Sequence, residues 1–232
     1  MIFNESVEND SKPVNKTEKF MFDGERLIQH IIKQRYFEEE ISNEVNLSYS
    51  DNQVTVTTDY LTLVYTLNSE GYASQCVYSL SSQNRIYQFS YSAEGYLTGI
   101  VENIDNREYS STSLTYENGD ITSISSKMNG LENKFIYEPG EESSTYHLPC
   151  LGLLEIHPLT FHIEALYAGL LGKDPRHFII RSYPAGSNDE KTGYSYEFDK
   201  KGNPSKMICQ TTYAGGQASY YPYTRNISIS FE

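Results

Sequence analysis

Apolar and polar residues alternate along most of the chain with the period of two that marks a half-buried strand. Leu61, Leu63, Tyr65 and Leu67 share one face, with Thr62, Val64 and Thr66 opposite. Tyr87, Phe89 and Tyr91 stand against Ile86, Gln88 and Ser90, and the runs Val54-Thr55-Val56-Thr57 and Ile227-Ser228-Ile229-Ser230-Phe231 alternate likewise. Between such runs one turn recurs: Leu67-Asn68-Ser69-Glu70-Gly71, Tyr91-Ser92-Ala93-Glu94-Gly95 and Phe198-Asp199-Lys200-Lys201-Gly202. Asn, Ser or Asp at the first turn position can accept from the backbone, and Gly at the fourth can take positive φ. That pair of features suits a type I turn closing through a glycine bulge. Tyr116-Glu117-Asn118-Gly119 and Phe22-Asp23-Gly24 carry Asn-Gly and Asp-Gly hairpin signals, and Tyr49-Ser50-Asp51-Asn52 and Tyr137-Glu138-Pro139-Gly140 read as turns.

After four of these glycines an apolar residue stands two positions on and another five on: Ala73 and Cys76, Leu97 and Ile100, Ile121 and Ile124, Pro204 and Met207. Residues three apart on a regular strand point to opposite faces. Either both sheet faces are partly covered, or a bulge shifts the phase. The spacing predicts a mainly β fold: an antiparallel meander of roughly twelve to fourteen strands, strongly curved or barrel-like. One segment departs from it. Residues 157–172 are apolar on nearly every side, with Pro158 at a first-turn position and Gly172 at a C-cap, which predicts one enclosed helix over about 159–171 plugging the concave side. Residues 1–16 are polar and acidic and read as a flexible tail ahead of a single domain over 17–232.

The chain has 232 residues, 21 of them Tyr and 10 Phe, which is too aromatic for a disordered chain. Eighteen Lys and Arg against 31 Asp and Glu give a net charge of −13, so a phosphate backbone is repelled and nucleic acid is not an expected partner. Cys76, Cys150 and Cys209 include no Cys-x-x-Cys pair, so neither a disulfide framework nor a zinc cluster is expected. No run approaches the ~20 apolar residues of a membrane helix. Thr62, Thr66, Gln88 and Ser90 would sit on the outer wall, so a membrane-spanning barrel is not expected either. The start of the chain lacks a cationic stretch followed by an apolar one, and does not read as a signal peptide.

Candidate chemistry is sparse. His147, Cys150, Glu155, His157, His162 and Glu164 crowd together in sequence. However, the two later histidines are five apart rather than the four that align a helical metal pair. Ordinary packing is the expectation there, with no metal and no cofactor. No Gly-x-Ser-x-Gly and no phosphate-cradling loop occur, so no catalytic residue is assigned. Tyrosine is the better clue, because its flat face and hydroxyl suit sugars and peptides. The candidate binding residues are Tyr213, Tyr220, Tyr221 and Tyr223, in a loop read over 213–223.

The segment Phe198-Asp199-Lys200-Lys201-Gly202 is similar to the tyrosine-aspartate repeats of bacterial surface and toxin-shell proteins, with Asn203 and Pro204 where those have Arg and Leu. From about Lys16 onward the chain more closely resembles domain of unknown function family 4595, through the hairpin series and Ala168-Gly169-Leu170-Leu171-Gly172-Lys173 ahead of a late strand pair. The resemblance implies a porin-like fold and a secreted or lipid-anchored protein in the envelope of a Gram-negative gut anaerobe. It implies no chemistry. The combined expectation is a non-catalytic envelope or surface protein that binds a glycan or peptide. The alternatives are a hydrolase using carboxylates in the concave face, or a protein-docking module.

Overall fold

The computed structural model describes residues 1–8, 15–36, 39–80, 83–144, 156–187, 190–213 and 223–231. Sixteen antiparallel strands close into a barrel. They are β1 (Ile2–Glu8), β2 (Asn15–Asp23), β3 (Arg26–Tyr36), β4 (Glu39–Ser50), β5 (Gln53–Thr57), β6 (Thr62–Leu67), β7 (Ala73–Leu80) and β8 (Gln83–Tyr91). The second half comprises β9 (Leu97–Ile104), β10 (Arg107–Glu117), β11 (Asp120–Met128), β12 (Leu131–Ser143), β13 (His177–Pro184), β14 (Glu190–Phe198), β15 (Pro204–Tyr213) and β16 (Tyr223–Ser230). Each strand pairs with its sequence neighbours, and β1 closes the ring against β16 with Phe3 opposite Ile229.

That closure corrects two expectations. The strand number exceeds twelve to fourteen, and the first residues are a strand rather than a flexible tail. Phe3 is buried against Phe20 and Tyr167, at 5.5 and 5.8 Å between rings. Glu5 hides the alternation in sequence. It is a charged residue at an inward position, held by Arg225 Nε at 2.7 Å.

The recurrent turns form as their chemistry requires. Asn68 Oδ1 accepts from the amides of Glu70 and Tyr72, Ser92 Oγ from Glu94 and Tyr96, and Asp199 Oδ1 from Lys201 and Asn203. Gly71, Gly95, Gly119 and Gly202 all have positive φ. The ladder shifts register just after each, opposite Leu67, Tyr91, Tyr116 and Phe198. A bulge, not a doubly covered sheet, therefore explains the apolar pairs: all eight residues are buried on one face. Ser74, Thr122 and Ser205 sit in these bulges, and each hydroxyl donates to the facing carbonyl, of Thr66, Thr115 and Glu197. All these turns lie at one end of the barrel, the turn end. Tyr137-Glu138-Pro139-Gly140 is not a turn. It runs within β12, where the register shifts on either side of Pro139, so the proline's missing N–H removes no regular ladder bond.

Inward residues such as Val54, Val56, Leu63, Tyr65 and Ile100 make the core. The outward row Ser50, Gln53, Thr66, Gln75, Gln88 is polar across five strands, and Ser42, Glu44, Asn46 and Ser48 continue it on β4. Val64, Val77 and Ile86 form a short outward apolar strip within that wall.

The segment between β12 and β13, described from Ile156 onward, fills the lumen at the turn end. It is not one helix over 159–171 but a 3-10 turn at Leu159–Phe161 and a single five-residue α1 (Ile163–Tyr167). His162 between them has φ −121°, and Gly169 and Gly172 at φ +70° and +89° end the helical path. Leu159, Ala165, Tyr167, Leu170 and Leu171 are buried, as an enclosed plug requires, but Phe161 is 48% exposed.

Candidate functional site

Buried polar contacts fix the plug to the wall. Glu102, at an inward position of β9, is wholly enclosed. Its Oε2 meets His157 Nε2 at 2.7 Å and accepts from Ser110 Oγ at 2.7 Å, and its Oε1 meets Arg85 at 3.1 Å. Burial alone would raise this carboxyl, but the hydrogen bonds from His157 and Ser110 and the charges of His157 and Arg85 hold it below the usual range. Ser110, His157 and Glu102 are a serine, an imidazole and an acid, yet they do not form a nucleophile relay. Such a relay needs the acid on one ring nitrogen and the serine on the other. Here both meet Nε2, Ser110 at 3.4 Å.

Two other histidines do the same work. His30, fully buried on β3, meets Glu164 of α1 at 2.8 Å and Glu18 of β2 at 3.4 Å, with Phe20 stacked on its ring at 4.0 Å. Burial opposes its charge, but the two carboxylates outweigh that and raise its pKa. His162 meets Tyr65 Oη at 2.8 Å, and burial pushes it down to about 3, so it is neutral. Burial also pushes the Cys76 thiol beside Tyr65 up to about 12. The turn end is sealed by main-chain bonds: Ala73 N to Leu170 O, Lys173 N to Gly95 O and Arg176 N to Gly119 O. A Cβ on Gly172 would stand 2.6 Å from Gly95 O, so the close approach requires glycine there.

The opposite end of the lumen holds a cavity of about 400 Å³. Its walls are Ser126, Asn133, Phe135, Tyr137, Ser182, Thr192, Tyr194 and Thr211, from β11 to β15, with Ile156 and His157 of the plug segment as floor. Met128, Asn129, Leu131 and Glu190, at strand ends and a hairpin turn, form its mouth, where Leu131 is 73% exposed. Phe161 packs edge-on against His157 at 5.6 Å.

Of the four sequence-predicted tyrosines, Tyr213 and Tyr223 have described backbones. Tyr213 closes β15 opposite Glu190, and Tyr223 opens β16 opposite Thr211, so both backbones stand beside cavity residues. Tyr220 and Tyr221 lie outside the described residues, as do His147, Cys150 and Glu155. His157, His162 and Glu164 reach three separate partners, Glu102, Tyr65 and His30. The family described as domain of unknown function (DUF4595) with porin-like fold matches residues 20–206. The chain belongs to this family. Among solved structures it is similar to a porin-like protein from Bacteroides uniformis, with 26% identity, a TM-score of 0.90, and coverage of 100% of this chain and 96% of that one. No curated protein matches it. Family membership adds no chemistry, so the site rests on its geometry. Sequence reading missed Glu102, His30 and Glu18 as plug anchors. The available signal was a titratable residue on the apolar face of an alternating strand, as in Leu97, Ile100, Glu102.

Proposed function

We propose that this chain is a non-catalytic envelope or cell-surface protein that binds a glycan or peptide ligand in the cavity at the open end of its barrel. The cavity carries the reading. Its volume lies in the ~300–1,000 Å³ range of small-molecule sites, and its wall mixes aromatic faces with hydroxyls and an amide, as such sites do. The backbones of Tyr213 and Tyr223 pair with the cavity residues Glu190 and Thr211, so we keep both tyrosines, with Tyr220 and Tyr221 between them in sequence, as candidate binding residues. A barrel of sixteen strands is wide enough for an aqueous channel. Here the plug occupies that space, which favours binding over conduction.

A water-facing barrel fits the outer wall better than a membrane-spanning one. A spanning barrel needs an apolar band ~25 Å tall. The polar row from Ser50 to Gln88 interrupts any such band. Likeness to a porin-like protein of Bacteroides uniformis supports an envelope location. Two alternatives fit less well. Carboxylate-based hydrolysis takes a facing pair of acids, whereas Glu190 is the one carboxylate among the described residues lining the cavity. Docking through a sheet edge is disfavoured because closure leaves none.

A thermal-shift screen of glycans and short peptides in detergent-free buffer tests the proposal, run on the wild type and on Thr192→Trp, which fills the cavity. A ligand raises the midpoint according to its concentration over Kd. Binding in the cavity predicts shifts that Thr192→Trp abolishes. Shifts that persist in Thr192→Trp, or their absence across the screen, would remove the cavity as the site.

A further inference from the structure

The chemistry of the cavity wall is selective. No Lys or Arg is among the described residues lining it, and its acid–base groups there are Glu190 at the mouth, His157 on the floor and the phenols of Tyr137 and Tyr194. An anionic ligand would pass the Glu190 carboxylate into a space with no Lys or Arg among its described lining, in a chain of net charge −13. An ammonium-bearing ligand would want several acceptors and finds one carboxylate. An extended peptide would want a strand edge, and the closed barrel offers none.

What the wall offers is paired donor and acceptor capacity. Thr192 and Thr211 share a hydrogen bond at 3.0 Å. One hydroxyl spends its proton on the other, so the pair keeps one free O–H and open lone pairs. The amide of Asn133, exposed on the same wall, carries both functions. On the floor, the Glu102 carboxylate fixes the proton on His157 Nε2. Nδ1, the other ring nitrogen, remains to hydrogen-bond a ligand hydroxyl. Phe135 and Ile124 supply apolar wall between these groups.

Resting on the ligand-binding reading above, we propose that the cavity takes an uncharged sugar unit rather than an acidic sugar or a peptide. Its hydroxyls meet Thr192, Thr211, Asn133 and the His157 imidazole, and its C–H face lies on Phe135. A molecule whose every hydroxyl both donates and accepts is the natural partner of such a wall.

The test is titration calorimetry with three probes: neutral tri- to pentasaccharides of glucose, galactose, mannose and N-acetylglucosamine, digalacturonate, and trilysine. Wild type, Thr192→Val and Thr192→Trp are compared, with melting curves showing that each is folded. Saturable binding of at least one neutral oligosaccharide is expected, weakened about two- to tenfold in Thr192→Val, which keeps the shape and removes one hydroxyl. Loss in Thr192→Trp and no binding of digalacturonate or trilysine complete the expected pattern. Digalacturonate or trilysine binding that Thr192→Trp abolishes, with no neutral sugar bound, would overturn the sugar assignment and leave the ligand-binding reading standing. Absence of binding by every neutral oligosaccharide would also overturn the assignment. The cavity itself is then judged by the Thr192→Trp comparison in the wider screen.

Discussion

Leu159 and Phe161 are two residues apart on the plug and meet opposite environments. Leu159 is fully buried, while Phe161 is about half exposed and packs edge-on against His157. Leu159→Ala is expected to cost ~2–5 kcal/mol, and Phe161→Ala well under that, in denaturant unfolding. Comparable losses would place Phe161 in the core after all. The buried histidines set the pH response. In the unfolded chain His162 titrates near 6.5, but in the fold near 3, so the unfolded state gains its proton first as pH falls. Its contribution is complete above 6.5 and lost on the way down to about 3. His30 has the opposite sign: with its pKa raised, its contribution is complete below 6.5 and lost as pH rises through the folded value. Glu18 and Glu102, both held below 4.5, add stability that disappears as pH falls through their folded values. The thermal midpoint should therefore peak near pH 6.5. His162→Gln, which retains a partner for Tyr65 and cannot be protonated, should flatten the acid limb. An acid limb of unchanged slope would assign it to the carboxylates alone.

At the scale of elements, β1 carries the closure. Deleting residues 1–8 exposes the edges of β2 and β16 and removes Phe3 from between Phe20 and Tyr167. Losing that one buried aromatic costs ~3–5 kcal/mol, and two open edges invite association between chains. A markedly lower midpoint and oligomers on size-exclusion chromatography are expected; a truncated chain melting like the full one would show that β1 is dispensable. Hairpin strands and their turns were legible in sequence because each is decided locally, by alternation and by an Asn, Ser or Asp at the first turn position, as at Asn68, Ser92 and Asp199. β1 was not, because Glu5 occupies an inward position only by virtue of Arg225 at the far end of the chain. The plug was legible as an enclosed apolar segment, but its helix was read too long. Burial pattern does not report where Gly169 and Gly172 take positive φ. For the candidate site, sequence pointed to tyrosines, of which the backbones of Tyr213 and Tyr223 pair with cavity residues. It could not show the cavity, which exists only once β11 to β15 curve around the floor of the plug.

For the molecule as a whole, three surfaces define the account: an outer wall in water, a plugged turn end and an open cavity opposite. One measurement addresses all three. Single cysteines are placed at Thr55 on the outer wall, Thr192 in the cavity and Ala165 in the plug, in a chain whose own Cys76, Cys150 and Cys209 are replaced by alanine. Each is reacted with a water-soluble maleimide without detergent or lipid. Rapid labelling is predicted at Thr55→Cys and Thr192→Cys, with none at Ala165→Cys until the protein is unfolded. Labelling of Ala165→Cys as fast as Thr192→Cys would mean an open pore, and protection of Thr55→Cys would mean a covered outer wall; either result contradicts a plugged, water-facing barrel.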